Sequence, residues 1–329
     1  MDDVIRHLFW LLIFPGFLFT VILGLYACWV VRKVTALIHH RIGPPVLQPL
    51  YDVLKLLGKE TLIPEAANKA VFISAPVVGF ASVLLLSILL WAVDFIQVSK
   101  NGMFLGDVIV AIYLMVIPSL ALILGSSASG SPHAAIGTAR EMKLVMSYEL
   151  VLVMAFIVVL IKTATFHGLS NSQNGAKLLS LSSITQFAPV MSISGLLAFL
   201  AALLCVQAKL GFTPFDIPEA ETEIAGGVFI EYSGALLALW KLMQAIMLVA
   251  LPLFLVVLFM GGIGTDFGSI IFGLGKYVLV LVLLILIKNT NPRMRIDQAV
   301  KFFWFYCGPV MALAIVLAML GNYYDKWWL

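Results

Sequence analysis

A chain of 329 residues that is 62% hydrophobic and only 11% charged, with a mean hydropathy of +1.08, is far from a soluble domain, in which roughly 45–50% of residues are apolar and about 25% charged. The composition demands a polytopic membrane protein. The net charge of +3 comes from short loops with no basic stripe, which argues against a nucleic-acid partner.

The start, MDDVIRHLFW, is acidic and lacks a small-residue cleavage site, so no cleaved signal peptide is expected. About 20 apolar residues cross a bilayer. The sequence predicts an all-α integral membrane fold of eight such helices in one domain over 1–329, at about 8–31, 69–96, 105–125, 142–165, 188–209, 228–261, 268–288 and 298–320. The sixth is long enough to tilt or kink, with Pro252 as the kink site.

Between the first two spans, Val46, Leu47, Leu50, Val53, Leu54 and Leu57 share one helical face. A run of about 46–58 is too short to span and is expected to lie in the interface as an amphipathic helix. It reads either as a surface anchor or as a platform for a docked soluble partner.

Twelve of the 20 basic residues fall on one set of loops: Arg32, Lys33, Arg41, Lys55, Lys59, Lys69, Arg140, Lys143, Lys209, Lys288, Arg293 and Arg295. The positive-inside rule makes that face cytoplasmic and puts both termini outside a cell membrane. The opposite loop at 166–187 reads as ordinary polar surface. Lys162, Lys241, Lys276 and Lys301 fall within spans and are expected to snorkel to an interface, Lys241 with most difficulty.

Cys28, Cys205 and Cys307 lie far apart, and the five histidines include only one adjacent pair, His39-His40. No metal or iron–sulfur ligand set is expected from this chain. No soluble-enzyme motif appears.

The chemistry concentrates in 209–234, KLGFTPFDIPEAETEIAGGVFIEYSG, which holds Asp216, Glu219, Glu221, Glu223 and Glu231. A charge near a bilayer centre costs ~2.5–3.5 kcal/mol on insertion scales, so acids retained between two spans suggest use. From Glu219 onward a helix is expected, with Glu219 and Glu223 as i, i+4 neighbours and Glu231 on the same half. Desolvation and like-charge repulsion raise carboxylate pKa values, which suits a proton relay. Asp216, Glu219 and Glu221 also read as solvated loop charges. Glu141 and Glu149 stand at and just inside the fourth span, Glu149 after the hydroxyls of Ser147 and Tyr148. Glu141 alternatively pairs with Lys143 or Arg140.

These residues resemble a family. RKVTALIHHRIGP and LQPLYDVLKLLGKE at 32–60, REMKLVMSYE at 140–149, PFDIPEAETEIAGGVFIEYSG at 214–234 and NPRMRIDQ with Trp304 at 291–304 are similar to the H-type membrane subunit of respiratory complex I, the NADH:quinone oxidoreductase. The likeness is greater still to the equivalent subunit of membrane-bound, energy-converting hydrogenases. Where the quinone-reducing branch reads GPNRVGP, this chain runs from Gly43-Pro44-Pro45 almost directly into its LQP segment. It also carries Val31, Lys209 and Phe212 where that branch has an acid, an acid and an arginine.

The resemblance implies a membrane subunit of an oxidoreductase that anchors a soluble hydrogenase arm and couples ferredoxin-linked electron transfer to proton or sodium movement. It implies hydrogenase large and small subunits and antiporter-like membrane subunits as partners, with the nickel–iron centre and iron–sulfur clusters on partner chains. Arg32, Lys33, Arg41, Arg293, Arg295 and Asp297 are the implied docking face. A quinone-site subunit of a complex I-like enzyme is the second expectation. A stand-alone secondary transporter is a third, disfavoured by the lack of an inverted repeat or paired broken helices.

Overall fold

The computed structural model describes residues 10, 12–14, 16–95, 107–166, 180–264, 267–324, 326 and 328, with backbone alone at 92–95, 182, 221 and 222. Most of the polar loop expected at 166–187 lies outside the described residues, as does the start of the first expected span. Regular structure among the described residues is helical throughout. Among the described residues, seven helices are long and apolar enough to cross a membrane, and a further apolar helix has 17 residues.

Helix α1 (Phe17–Ile38) continues past the expected end at residue 31. Its two basic residues leave sideways and are satisfied off the helix: Arg32 Nη1 reaches Asp52 Oδ2 at 2.7 Å, and Lys33 Nζ donates to the Ile42 carbonyl at 2.6 Å. The Arg32 guanidinium holds the Asp52 carboxyl below its ordinary range. Asp52 belongs to the short helix α2 (Gln48–Leu57), which lies against α1 and α7 (Gly234–Phe259). Only Pro49 and Val53 of α2 are buried; Leu47, Leu50, Tyr51, Leu54 and Leu57 face outward from the chain. An apolar outer face fits the interfacial position expected of it.

Helices α3 (Lys69–Phe95), α4 (Asp107–Ser127), α5 (Pro132–Phe166) and α6 (Ile193–Lys209) follow. α5 starts well before the expected residue 142, with Pro132 as its first residue, where a missing N–H costs nothing. α7 is the centre of the bundle. It packs against α1, α3, α6 and α8 (Phe267–Thr290), and 89% of its most apolar window is buried inside the chain. A Cβ at Gly24 would sit 2.8 Å from the Ala245 carbonyl, so α1 and α7 meet backbone to backbone. The last span is composite: α9 (Ile296–Lys301), a π-helical turn Phe302–Cys307, then α10 (Gly308–Tyr323).

The ends carrying the basic loops are tied together. Asn68 N–H donates to the Ala128 carbonyl at 3.0 Å, Leu62 N–H to Ser233 Oγ at 2.9 Å, and Thr213 Oγ1 to the Lys288 carbonyl at 2.5 Å.

The segment from 219 to 234 departs from expectation. It is not one helix, so Glu219, Glu223 and Glu231 do not share a helical face. Ala225 (φ 51°), Gly226 (φ 90°) and Gly227 (φ 48°) are left-handed, which no continuing right-handed helix permits. One helical turn at Glu221–Ile224 ends there, a 3-10 turn follows at Gly227–Phe229, and α7 begins only at Gly234. Irregular backbone at membrane depth is tolerated where protein covers it or a cavity wets it.

Candidate ion-path site

Two cavities meet beneath the broken segment. The larger, about 390 Å³, is lined by α1, α7, the end of α8 and residues 210–219, and carries Arg32, Asp216, Glu219, Lys241, Lys288 and Arg293. The smaller, about 40 Å³, carries Glu141, Lys209 and Glu219. Leu210, Gly211, Glu219 and Gln244 line both. Glu219 therefore stands at the junction. Gln244 Nε2 on α7 donates to Glu219 Oε1 at 2.8 Å and fixes it there. Gly211 beside that carboxylate has a left-handed backbone (φ 62°), which favours glycine. The smaller cavity has space for water between its polar walls.

Asp216 is held at the outer end by Arg293, Nη2 to Oδ2 at 2.7 Å. Met294 N–H donates to the Pro214 carbonyl at 3.0 Å, clamping the same turn. At the inner end the Lys209 ammonium bonds the Glu149 carboxylate, the lysine side chain being 1% exposed and the glutamate's 16%. The same ammonium lies 5.3 Å from the Tyr148 ring, and Tyr148 Oη is 3.2 Å from Ser119 Oγ. Phe303 of the π-helical turn packs on both Phe215 (centroids 4.9 Å) and Tyr148 (6.3 Å), joining the two ends. Chemically, this is a series of carboxylates with cavity space between them large enough for water, bounded by two ion pairs.

The structure thus brings Asp216, Glu219, Glu141 and Lys209 around one pair of cavities, with Glu149 behind their lining and bonded to Lys209. It leaves Glu223 and Glu231 outside. Glu223 is exposed and pairs with Arg140 at 2.7 Å, with side-chain exposures of 58% and 25%. Glu231 lines neither cavity, and the side chain of Glu221 lies outside the described residues. Arg140 therefore serves Glu223 rather than Glu141. An exposed pair contributes only ~0–1 kcal/mol, so Glu223→Gln is expected to leave assembly and coupled turnover within about twofold of wild type. Quantifying the assembled complex beside ion movement in vesicles checks this, and a tenfold loss of ion movement with normal assembly would contradict it.

Of the expected docking residues, Arg41, Arg295 and Asp297 are exposed, whereas Arg32, Lys33 and Arg293 are engaged within the chain. Sequence reasoning missed Gln244 and placed Lys241 mid-span. Lys241 is exposed, two turns into α7, and donates to Gln244 Oε1 at 3.2 Å. A Lys and a Gln three apart in an apolar span were the available signal. Among the described residues no group of three or more His, Cys, Asp or Glu side chains is placed to hold a metal.

The NADH dehydrogenase family model matches residues 11–319 of this chain. The chain belongs to that family, as an all-helical membrane subunit of the H type. The H-type subunit of NADH-quinone oxidoreductase from Thermomicrobium roseum is 33% identical over 318 residues, covering 92% of this chain and 93% of the relative. Its counterpart from Anoxybacillus flavithermus is 35% identical, covering 92% and 91%. Among solved structures, a chain of the membrane-bound sulfane sulfur reductase, an archaeal respiratory membrane complex, superposes with a TM-score of 0.79 at 27% identity, covering 97% of this chain and 100% of that one. Chains of this type are parts of multi-subunit oxidoreductases of respiratory membranes. The two cavities therefore lie in a membrane subunit of such a complex.

Proposed function

We propose that this chain is the membrane subunit of an energy-converting hydrogenase complex that couples ferredoxin-linked electron transfer to proton or sodium translocation. The two abutting cavities that share Glu219 carry this reading. They carry Asp216, Glu219 and Glu141 as a carboxylate series, which Lys209 on the wall of the smaller cavity extends to Glu149. Glu223 and Glu231 line neither cavity. The chain itself moves no electrons: the nickel–iron centre and iron–sulfur clusters belong to hydrogenase large and small subunits docked on the basic face, around Arg32, Lys33, Arg41, Arg293, Arg295 and Asp297. Antiporter-like membrane subunits complete the ion pathway. Both termini face away from the cytoplasm, so a cytoplasm-only reporter fused after Leu329 stays silent; an active fusion contradicts the orientation.

The residues that depart from the quinone-reducing branch sit on the cavities themselves. Val31 and Phe212 line the larger, and Lys209 lines the smaller and binds Glu149. A neutral quinone headgroup there would desolvate Lys241, Lys288 and the Arg293–Asp216 pair without returning a charge. Ubiquinone and menaquinone analogues are accordingly expected not to inhibit the intact complex at micromolar concentrations. Competitive inhibition in that range would favour a quinone-site role.

The test of the main reading is purification of the complex from its native membrane through a tag on this chain. A co-purifying nickel–iron large subunit with ferredoxin-driven hydrogen evolution supports it, and NADH-binding subunits overturn it. The sulfane sulfur reductase likeness favours a second reading, a sulfur-reducing relative on the same ion path; polysulfide reduction without hydrogen evolution would identify it.

A further inference from the structure

The larger cavity holds positive charge that the carboxylate series does not use. Its walls carry four cations against two carboxylates, Asp216 and Glu219. Arg293 is matched by Asp216, and Arg32 by Asp52 outside the cavity. Lys241 and Lys288 form no ion pair among the described residues. Their ammonium groups lie against rings instead, Lys241 at 5.2 Å from Phe229 and Lys288 at 4.2 Å from Phe212. The Asp216 charge reaches Lys288 without a direct bond, and Lys241 is linked to Glu219 only through Gln244; two cations on different helices, neither ion-paired, thus open onto one space that holds more positive than negative charge, which suits an anion. The remaining wall is apolar, with Val31, Leu210 and Leu248.

We propose that this cavity binds a phosphate group, either the headgroup phosphate of an acidic membrane lipid or free phosphate. Lysine binds phosphate as a point charge, and the arginine forks alongside offer further donors. These donors come from several elements and converge on the space, which suits an acceptor with three or four oxygens better than a carboxylate with two. A volume of about 390 Å³ falls in the range of small-molecule sites, ~300–1,000 Å³. It leaves room beyond the phosphate along the apolar wall for a glycerol and the start of an acyl chain. The inference holds independently of whether the partner arm is a hydrogenase.

The test uses the purified complex, stripped of lipid by detergent exchange and offered phosphatidylglycerol, phosphatidylcholine or inorganic phosphate in native mass spectrometry. Wild type is expected to retain phosphatidylglycerol preferentially over phosphatidylcholine, or to bind inorganic phosphate. The Lys241→Gln/Lys288→Gln pair is expected to bind the same ligand at least tenfold more weakly, the Lys241→Arg/Lys288→Arg pair near wild-type level, and Lys69→Gln as wild type. Displacement of the lipid by inorganic phosphate assigns recognition to the phosphate alone, and failure to displace assigns the lipid as the source. Equal binding by wild type and the double Gln variant overturns the proposal, as does wild type that neither prefers phosphatidylglycerol nor binds phosphate. If the Gln pair does not assemble, the wild-type lipid preference and phosphate competition still decide.

Discussion

Replacing Glu219 with glutamine is expected to leave the complex assembled and to lower coupled turnover at least tenfold, a barrier change of ~1.4 kcal/mol or more. Glu219 is the carboxylate that both cavities share, so a proton passing between them has it as the common stop. Glutamine keeps the shape and an amide oxygen able to accept from Gln244 Nε2, so the local bond survives while the titration is lost. Glu219→Asp keeps the acid on a shorter stem and should recover part of the rate. The measurement is ion movement into vesicles per electron transferred, beside the amount of assembled complex. Normal pumping by an assembled Glu219→Gln complex would remove Glu219 from the path.

Glu149→Gln should behave differently. Its partner Lys209 has a side chain only 1% exposed, so the variant leaves a buried cation without its counter-charge. Breaking one side of a buried pair costs roughly 3–5 kcal/mol, enough to deplete the assembled protein. Adding Lys209→Met removes the stranded charge and is expected to restore assembly, because a neutral pair of similar volume no longer buries an unpaired ion. The restored double variant should still fail to move ions if Glu149 is a relay member. Glu149→Gln, Lys209→Met alone and the double variant form a cycle whose coupling energy is read from thermal stability and yield of the assembled chain. Normal assembly of Glu149→Gln alone would show that the pair is not needed for folding.

The spans were legible because bilayer crossing leaves a long apolar run in any sequence, and each expected run overlaps a helix of the bundle. Their ends were less so. Arg32 and Lys33 looked like the end of a span, but partners 9 and 20 residues away satisfy them and let α1 continue. The acids of 216–231 were conspicuous as a cluster, yet their grouping was hidden. Ala225 carries a left-handed backbone that no composition rule assigns to alanine, and it separates Glu223 from Glu231. The pairings that sort them, Arg140 to Glu223, Lys209 to Glu149 and Arg293 to Asp216, join residues far apart in the chain. Only tertiary folding decides such partners.

The clamp on the 213–217 turn bears on how the chain is made. Thr213 and the Lys288 carbonyl that receives its hydroxyl are 75 residues apart, and Arg293 and Met294, which hold Asp216 and Pro214, emerge later still. At ~5–20 residues per second, a ribosome needs several seconds to travel that distance. Through that interval the nascent chain already has α6 and the acids of 216–231 but lacks the residues that set them in register. The carboxylate series is thus completed only when the eighth helix is in place. On the proposed ion path, an unfinished or prematurely terminated chain would lack a formed conduit and would not short-circuit the membrane that houses it.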